Sequence, residues 1–508
     1  MLSFSVTGPI SAVLRSSLSD ASAMINWKLI FKILGTLLWI EAAFISISLI
    51  MALCYMESDL MPFTITVAVT LLAGTVLRLM GHHATNTLGR RDAYLLVTIV
   101  WIAFAAFGML PFLFGGYIHS VTDAFFETMS GLTTTGATTI DQVEGLPHGL
   151  LFWRSLTQWI GGLGIVFFTI AVMPSFVGGS VKVFAAEATG PIKSKMHPRL
   201  TTTAKALWGV YLLLTAACAI CFFIFGMSPF DAINYAMTIT ATGGFATHDA
   251  STGYFHNAAI DYTAIVFMFL SGMSFALLYT ALFKGKVKRL LKNAEIRLYT
   301  TLALSSTVLI VYFLLKYNDY STSHAIRVAL FQVVSFLTTT GMFNEDAAQW
   351  HHITWVILSL CMFFGGCAGS TASGFKCARG VIVLKVLRNE IRRMLHPKAL
   401  LPVKVNDSTV HSPAQITLIA FFVAYIVLCF TAYFIMILAG VDSTNSITIA
   451  LSCGSNVGPT LGLEIGPTMS WSILPTIVKW ILSALMLMGR LEIFTVLVIF
   501  TPWFWKNH

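Results

Sequence analysis

Stretches of 18 or more residues without Asp, Glu, Lys or Arg include 60–77, 93–122, 155–181, 206–230, 262–283, 298–315, 347–375 and 408–441. About 30 Å of hydrocarbon, crossed at ~1.5 Å per helical residue, needs roughly 20 apolar residues. Each stretch is therefore long enough, or nearly so, to span a bilayer. Two further spans are expected near 27–54, which tolerates Glu41, and near 472–502, which tolerates Lys479, Arg490 and Glu492. With 56% hydrophobic and only 10% charged residues, the chain has too much apolar surface to hide from water. The fold class that follows is an all-α polytopic membrane protein of ten spans.

Basic residues orient it. Lys182, Lys193, Lys195, Arg199 and Lys205 occupy one loop, and Lys284, Lys286, Lys288, Arg289, Lys292 and Arg297 a second. Region 376–404 holds eight more, from Lys376 to Lys404. These segments are expected in the cytoplasm, with the serine-rich residues 1–26 as a cytosolic N-terminal tail. The opposite loops are acidic, carrying Asp123, Asp141, Glu144, Asp249, Asp261, Asp319, Glu345, Asp346, Asp442 and Glu464. The net charge of +9 thus reflects topology, and no nucleic-acid partner is expected. Cys218 and Cys221 form a CxxC inside an apolar span with no second ligand pair, so they read as small core residues. No HExxH or paired Cys/His spacing occurs among the 13 histidines, so an enzyme is not expected.

A short motif recurs four times. Thr133-Thr134-Thr135-Gly136 returns as Thr240-Ala241-Thr242-Gly243, as Thr338-Thr339-Thr340-Gly341, and more loosely as Ser455-Asn456-Val457-Gly458. Before each copy lies an apolar stretch too short to cross: 121–132, 229–239, 325–337 and 444–454. Twelve helical residues reach only ~18 Å, so each segment enters the membrane and must turn back. Non-helical backbone at that depth is tolerated where it is buried in protein or lines a watery path. Four span, half-helix, strand, span units can surround one axis in pseudo-fourfold array, with carbonyls replacing the water shell of a cation. The expected ion-binding filter is Thr134, Thr135, Gly136, Ala241, Thr242, Gly243, Thr339, Thr340, Gly341, Asn456, Val457 and Gly458. Four small-residue helix contacts would be the alternative, but they explain neither the half-length helices nor their recurrence.

Two features suggest a gate. Residues 364–374, Phe-Gly-Gly-Cys-Ala-Gly-Ser-Thr-Ala-Ser-Gly, contain four glycines in one span, each weakening a helix by ~1 kcal/mol. A break is expected there, through Gly365, Gly366, Gly369, Ser370, Thr371 and Gly374; close helix packing through small residues is the other reading. Arg490 lies inside the last span, where an arginine costs roughly 3 kcal/mol or more and must face protein or water. It is placed to hinder passing cations and to hold the Gly-rich loop through its carbonyls. A pair with Glu492 is disfavoured, because i,i+2 residues do not share a helix face. Lys376 reads either as a second pore-facing cation or as the first cytosolic anchor.

The stretches SGLTTTGAT (130–138), RSLTQWIGGLGI (154–165), TATGGF (240–245), TTTGMFN (338–344), GGCAGSTASGFK (365–376), SNVGPTLG (455–462) and GRLEIF (489–494) are similar to those of the Trk/Ktr/HKT superfamily of potassium uptake proteins. The chain resembles most closely the bacterial Trk membrane subunit, from about residue 27 to 502. The resemblance implies that 27–91 is an extra two-span unit ahead of four pore repeats, 92–181, 182–284, 285–404 and 405–508, the third carrying the broken gating helix. It implies K⁺ uptake across a bacterial inner membrane, a homodimer with one pore per protomer, and no organic cofactor in this chain. It also implies a separate cytosolic TrkA-like regulatory subunit binding NAD or ATP; no strand–GxGxxG–helix fingerprint for such a domain occurs in this chain. In the family, serine in place of the first-repeat glycine accompanies sodium preference, so Gly136 implies preference for K⁺ and Rb⁺ over Na⁺. An ion-coupled symporter is the competing expectation; Glu41 and Glu127 are the few intramembrane carboxylates that could relay protons.

Overall fold

A computed structural model describes residues 25–85, 88–162, 164, 200–406, 408–462, 466 and 468–506. The second half of the expected span 155–181 and most of the basic loop 182–205 lie outside the described residues. So does the N-terminal tail up to residue 24.

The described residues are all-α but for one two-residue pairing. It opens with two long helices packed on each other, α1 (Trp27–Tyr55) and α2 (Leu60–Met80). The first quarter follows: α3 (Arg90–Gly108) with its continuation α4 (Leu110–Phe114), the half-helix α5 (Val121–Leu132), and α6 (His148–Gly162). The second comprises α7 (Leu200–Ile224), the half-helix α8 (Pro229–Thr240), α9 (Ala258–Ser271) and α10 (Phe275–Lys284). A short basic helix, α11 (Val287–Lys292), leads to the third: α12 (Ala294–Tyr317), the half-helix α13 (Thr322–Leu337), α14 (His352–Phe364) and α15 (Cys377–Leu395). Strands β1 (Lys404–Val405) and β2 (Ser408–Thr409) pair antiparallel before the fourth. That quarter is α16 (Ser412–Leu438), the half-helix α17 (Ser443–Ser455), α18 (Thr476–Leu491) and α19 (Ile493–Leu497).

Among the described residues six helices are long and apolar enough to cross a membrane: α1, α2, α3 with α4, α7, α12 and α16. Two expected straight spans are bent instead. The 262–283 span turns by 103° between α9 and α10, and the 472–502 span by 117° after α18. The first bend falls at Ser271-Gly272-Met273-Ser274, where the chain makes room for the Gly-rich segment of the third quarter: Cys367 N donates to Gly272 O at 2.8 Å and Phe275 N to Gly369 O at 2.9 Å. The second falls at Glu492, which adopts φ 68° and pairs with Arg379 on α15. The 347–375 span also breaks, as expected from its glycines: α14 stops at Phe364 and helix resumes only at Cys377.

The half-helices follow from their caps. Ser120 and Ser228 accept the amides of Asp123 and Asp231 through their hydroxyls, and Asp442 accepts those of Thr444 and Asn445. Pro229 adds a pre-set φ at the first position of α8. All four half-helices are buried over their last turns, so the backbone that follows them is delivered to the centre of the molecule.

Candidate functional site

Each half-helix ends in the same backbone turn. Thr134, Thr242, Thr339 and Asn456 take left-handed φ of 54°, 54°, 56° and 54°. The next residue's amide returns to the carbonyl five positions back: Thr135 to Ser130, Gly243 to Thr238 and Thr340 to Ser335 at 2.9 Å, and Val457 to Ser452 at 3.0 Å. This is a Schellman termination, with threonine three times where glycine or asparagine is usual. A β-branched residue there is strained, and its threefold repetition marks a site the surroundings enforce.

Two residues beyond each left-handed residue, the strands interlock through glycines. Gly136, Gly244, Gly341 and Gly458 have φ of +84°, +83°, +74° and +98°. A Cβ on Gly136 would strike the carbonyl oxygen of Gly243, one on Gly244 that of Thr340, one on Gly341 that of Val457, and one on Gly458 that of Thr135. First touches second, second third, third fourth, and fourth first, so the four strands close a ring. One cavity is lined by all four of these glycines together with Asp141, His248 and Asp249.

The ring corrects the register in the second quarter. By spacing, Ala241-Thr242-Gly243 matches Thr134-Thr135-Gly136. By hydrogen bonding and φ, Ala241 is the counterpart of Thr133, Thr242 of Thr134, Gly243 of Thr135, and Gly244 of Gly136. The physical reason is the helix end: α8 runs through Thr240, one residue into the TxTG letters, so Thr242 takes the left-handed turn and Gly244 supplies the positive φ. The other three strands keep the expected register.

Buried polar groups hold the ring. Thr133 and Thr135 share a hydroxyl hydrogen bond at 2.8 Å, as do Thr338 and Thr340 at 2.7 Å. Asn456 Nδ2 donates to Thr135 Oγ1 at 2.9 Å and to Met486 O at 2.8 Å. Gln158, on α6, donates from Nε2 to Gly243 O at 2.7 Å and accepts from Phe245 N at 3.0 Å. Glu127 and Arg154 form a buried pair at 2.9 Å. Glu127 also accepts from Thr139 N at 2.8 Å, and Arg154 donates to Ala246 O at 3.1 Å and covers the Phe245 ring. The pair thus ties down the strands leaving the first two turns.

The Gly-rich segment lies against the other side of the turns. Thr371 Oγ1 donates to Thr240 O at 3.0 Å and Ser271 O at 3.2 Å, and Ser373 N donates to Thr339 Oγ1 at 2.9 Å. Gly365, Gly369 and Gly374 take φ of +66°, +75° and +80°, while Gly366 is pressed against Ala372 and Gly272. Ser370 Oγ donates to Cys367 O at 2.6 Å, folding the segment on itself. Arg490 Nη1 donates to Thr371 O at 2.7 Å and Ser373 Oγ at 3.2 Å; Nη2 donates to Gly161 O at 2.6 Å and Gly162 O at 2.7 Å. Four acceptors offset the desolvation of this guanidinium. Lys376 is buried at the end of the segment, near Glu492, Arg379, Arg490 and Glu295, so it is no exposed anchor. All the expected gate residues are therefore gathered at one place.

Against this geometry stand the similarities. The family model described as TrkH, cation transport protein, matches residues 59–506. The chain belongs to the TrkH cation transport family. It is 36% identical over 485 residues to the Trk system potassium uptake protein TrkH of Escherichia coli strain K12, covering 95% of this chain and all of that protein. It is 33% identical to TrkG of the same strain, over 93% of this chain and 97% of that one. The crystal structure of the potassium transporter TrkH from Vibrio parahaemolyticus superimposes with a TM-score of 0.84 at 36% identity, covering 94% of this chain and 99% of that chain. The family is one of transport proteins rather than enzymes, and its members reside in membranes.

Four contributors were not singled out by sequence: Gly244, Gln158, Arg154 and Glu295. Glu295, at the start of α12, accepts Ala368 N at 2.5 Å and Ala378 N at 3.1 Å, clasping both ends of the Gly-rich segment. Gln158 and Arg154 carried a usable signal, being strongly polar groups within or beside an apolar stretch. Glu295 carried none, since it sits among loop charges.

Proposed function

We propose that the chain takes up K⁺ through a conduit whose selectivity filter is the four-strand ring. The observation that carries this reading is the ring's closure, with each glycine seated on the next strand's carbonyl and one cavity common to all four. Carbonyl oxygens converging from four strands suit a dehydrated monovalent cation, which needs many weak ligands and no charged one. The relatives named as potassium uptake proteins support K⁺ as the ion.

Residues 92–181, 182–284, 285–404 and 405–508 act as four quarters of the pore, with 27–91 as an added pair. The Gly-rich segment obstructs the path below the filter, held by Arg490. The basic end faces the cytoplasm of a bacterial cell, with the N-terminus on that side, and receives a separate nucleotide-binding regulator. The protein works as a homodimer with one pore per protomer. Glu127, an intramembrane carboxylate, is engaged by Arg154, Thr138 and Thr139, which supports conduction over proton-coupled transport.

The test is reversal potential in a sealed bilayer under a K⁺ gradient at several pH values. Reversal at the potassium equilibrium potential at every pH supports the reading. A reversal potential that follows the proton gradient overturns it in favour of symport. Rescue of a K⁺-uptake-deficient bacterium at limiting K⁺ checks the substrate independently.

A further inference from the structure

The four strands of the ring are not braced alike. In the first and third, the residue just before the ring glycine is a threonine, and its hydroxyl meets that of the threonine two positions earlier. In the second, those two positions are Ala241 and Gly243, and neither has a hydroxyl. The gap is filled from another quarter. Gln158, fully buried on α6, lays its amide where a side chain at 243 would stand, so that a Cβ there would overlap the Gln158 amide carbon. Gly243 does not have a positive φ, so the glycine is there for space and not for conformation.

The amide is used at both ends. Nε2 donates to Gly243 O at 2.7 Å, and Oε1 accepts from Phe245 N at 3.0 Å, spanning the ring residue Gly244. Gly243 O is itself the carbonyl that the first strand's Gly136 approaches. Gln158 therefore grips one of the four carbonyls that make the ring contacts, and does so from the quarter next to it.

We infer that Gln158 is a specificity-determining residue: its amide clamps the Gly243 carbonyl and sets how well the ring distinguishes K⁺ from Na⁺. The inference rests on the filter reading above. A carbonyl held by a buried donor resists moving inward, because the move would leave that donor unpaired. A ring so restrained cannot contract around a smaller ion. Without the donor, the Gly243 strand has no brace of the kind the first and third strands possess, and the smaller ion is accommodated.

The experiment is bi-ionic reversal potential, K⁺ against Na⁺, for purified variants in planar bilayers. Gln158→Glu keeps the shape and the acceptor for Phe245 N but removes the donor; Gln158→Leu removes both. Each is expected to lower the K⁺/Na⁺ permeability ratio by roughly fivefold, the scale of one buried hydrogen bond. Gln158→Ala with Gly243→Thr returns a threonine to the emptied space and is expected to recover most of the ratio. It also covers the case in which the single variants fail to fold. An unchanged ratio in Gln158→Glu, or a well-folded double variant with no recovery, overturns the inference. Gly136→Ser separates this from failure of the filter reading. If it lowers the ratio while the Gln158 variants do not, the clamp alone is wrong; if none of them does, the filter reading falls.

Discussion

Arg490 and Thr371 meet at 2.7 Å, the guanidinium of α18 donating to a carbonyl in the Gly-rich segment 119 residues earlier in the chain. The same side chain grips the end of α6 through Gly161 and Gly162. It is thus a strap from the first quarter across to the third. Glu492, two residues on, turns away to Arg379, so the strap and the second ion pair are separate.

Arg490→Ala removes the charge and with it the hydrogen bonds to Thr371, Ser373, Gly161 and Gly162. It is expected to raise Rb⁺ flux into proteoliposomes several-fold. Arg490→Lys, with three donors on a point charge and no planar fork, is expected to fall between. Unchanged flux together with a lowered melting temperature would assign Arg490 a structural role only.

Glu295 clasps the Gly-rich segment from its opposite side, through Ala368 N and Ala378 N. Asn406 caps the same helix start by accepting Ala294 N at 2.9 Å, which joins this clasp to the β1–β2 hairpin. Glu295→Gln keeps an acceptor oxygen and is expected to retain most of the closed-state tightness. Glu295→Ala leaves two buried amides unpaired and is expected to leak. Rb⁺ flux without any regulator distinguishes them, and equal flux in the two variants would count against the clasp.

Much of this was legible in the residues. The half-helix expected at 121–132 is α5, and the others begin and end within three residues of the expected limits, because cap residues and the bilayer's thickness act locally. The break at 365–374 was legible for the same reason, glycine being a weak helix former wherever it occurs. What escaped depends on the partner. The bend at Gly272 exists because the Gly-rich segment needs its carbonyl, and the place of Gly243 depends on Gln158 arriving from 85 residues away. A TxTG letter pattern cannot report either, and in the second quarter it pointed to the wrong glycine of Gly243-Gly244.

Arg154 and Glu127 are both buried to within 2% exposure, so the pair has little help from water. Removing one partner strands a charge, at a cost of about 3–5 kcal/mol. Arg154→Met should therefore lower the yield and melting temperature sharply. Glu127→Gln with Arg154→Met should be milder than Arg154→Met alone, since no charge is then left unpaired. A double-mutant cycle of melting temperatures checks this; strictly additive effects would show that the two do not act as a pair.

His248 lies in the acidic loop lining the ring cavity, between Glu144 and Asp231 and stacked on Tyr254. Burial opposes its protonation, but the hydrogen bonds and charges of Asp231 and Glu144 outweigh burial and raise its pKa above the ordinary value. A raised folded-state pKa stabilises the fold fully below the unfolded value, about 6.5, and the contribution disappears as pH rises through the folded value. The melting temperature should therefore fall across that window in the parent protein. In His248→Gln that part of the fall should vanish. A matching pH dependence in the variant would place the titration elsewhere.

The ring itself predicts that the neighbouring glycines 243 and 244 fail differently. A Cβ on Gly244 meets backbone, the Thr340 carbonyl, from a residue whose φ is +83°, so neither strain nor collision can be relieved by a side chain moving. The three atoms nearest a Cβ on Gly243 all belong to the Gln158 side chain. Gly244→Ala and Gly136→Ala should therefore both abolish K⁺ conduction, and trimming Gln158 to alanine should not restore it at 244. Gly243→Ala should be impaired alone and regain K⁺ conduction when combined with Gln158→Ala. The four variants are compared by K⁺ current at matched protein density. The reverse result, rescue of position 244 and none at 243, would return the ring to the register that the TxTG letters suggest.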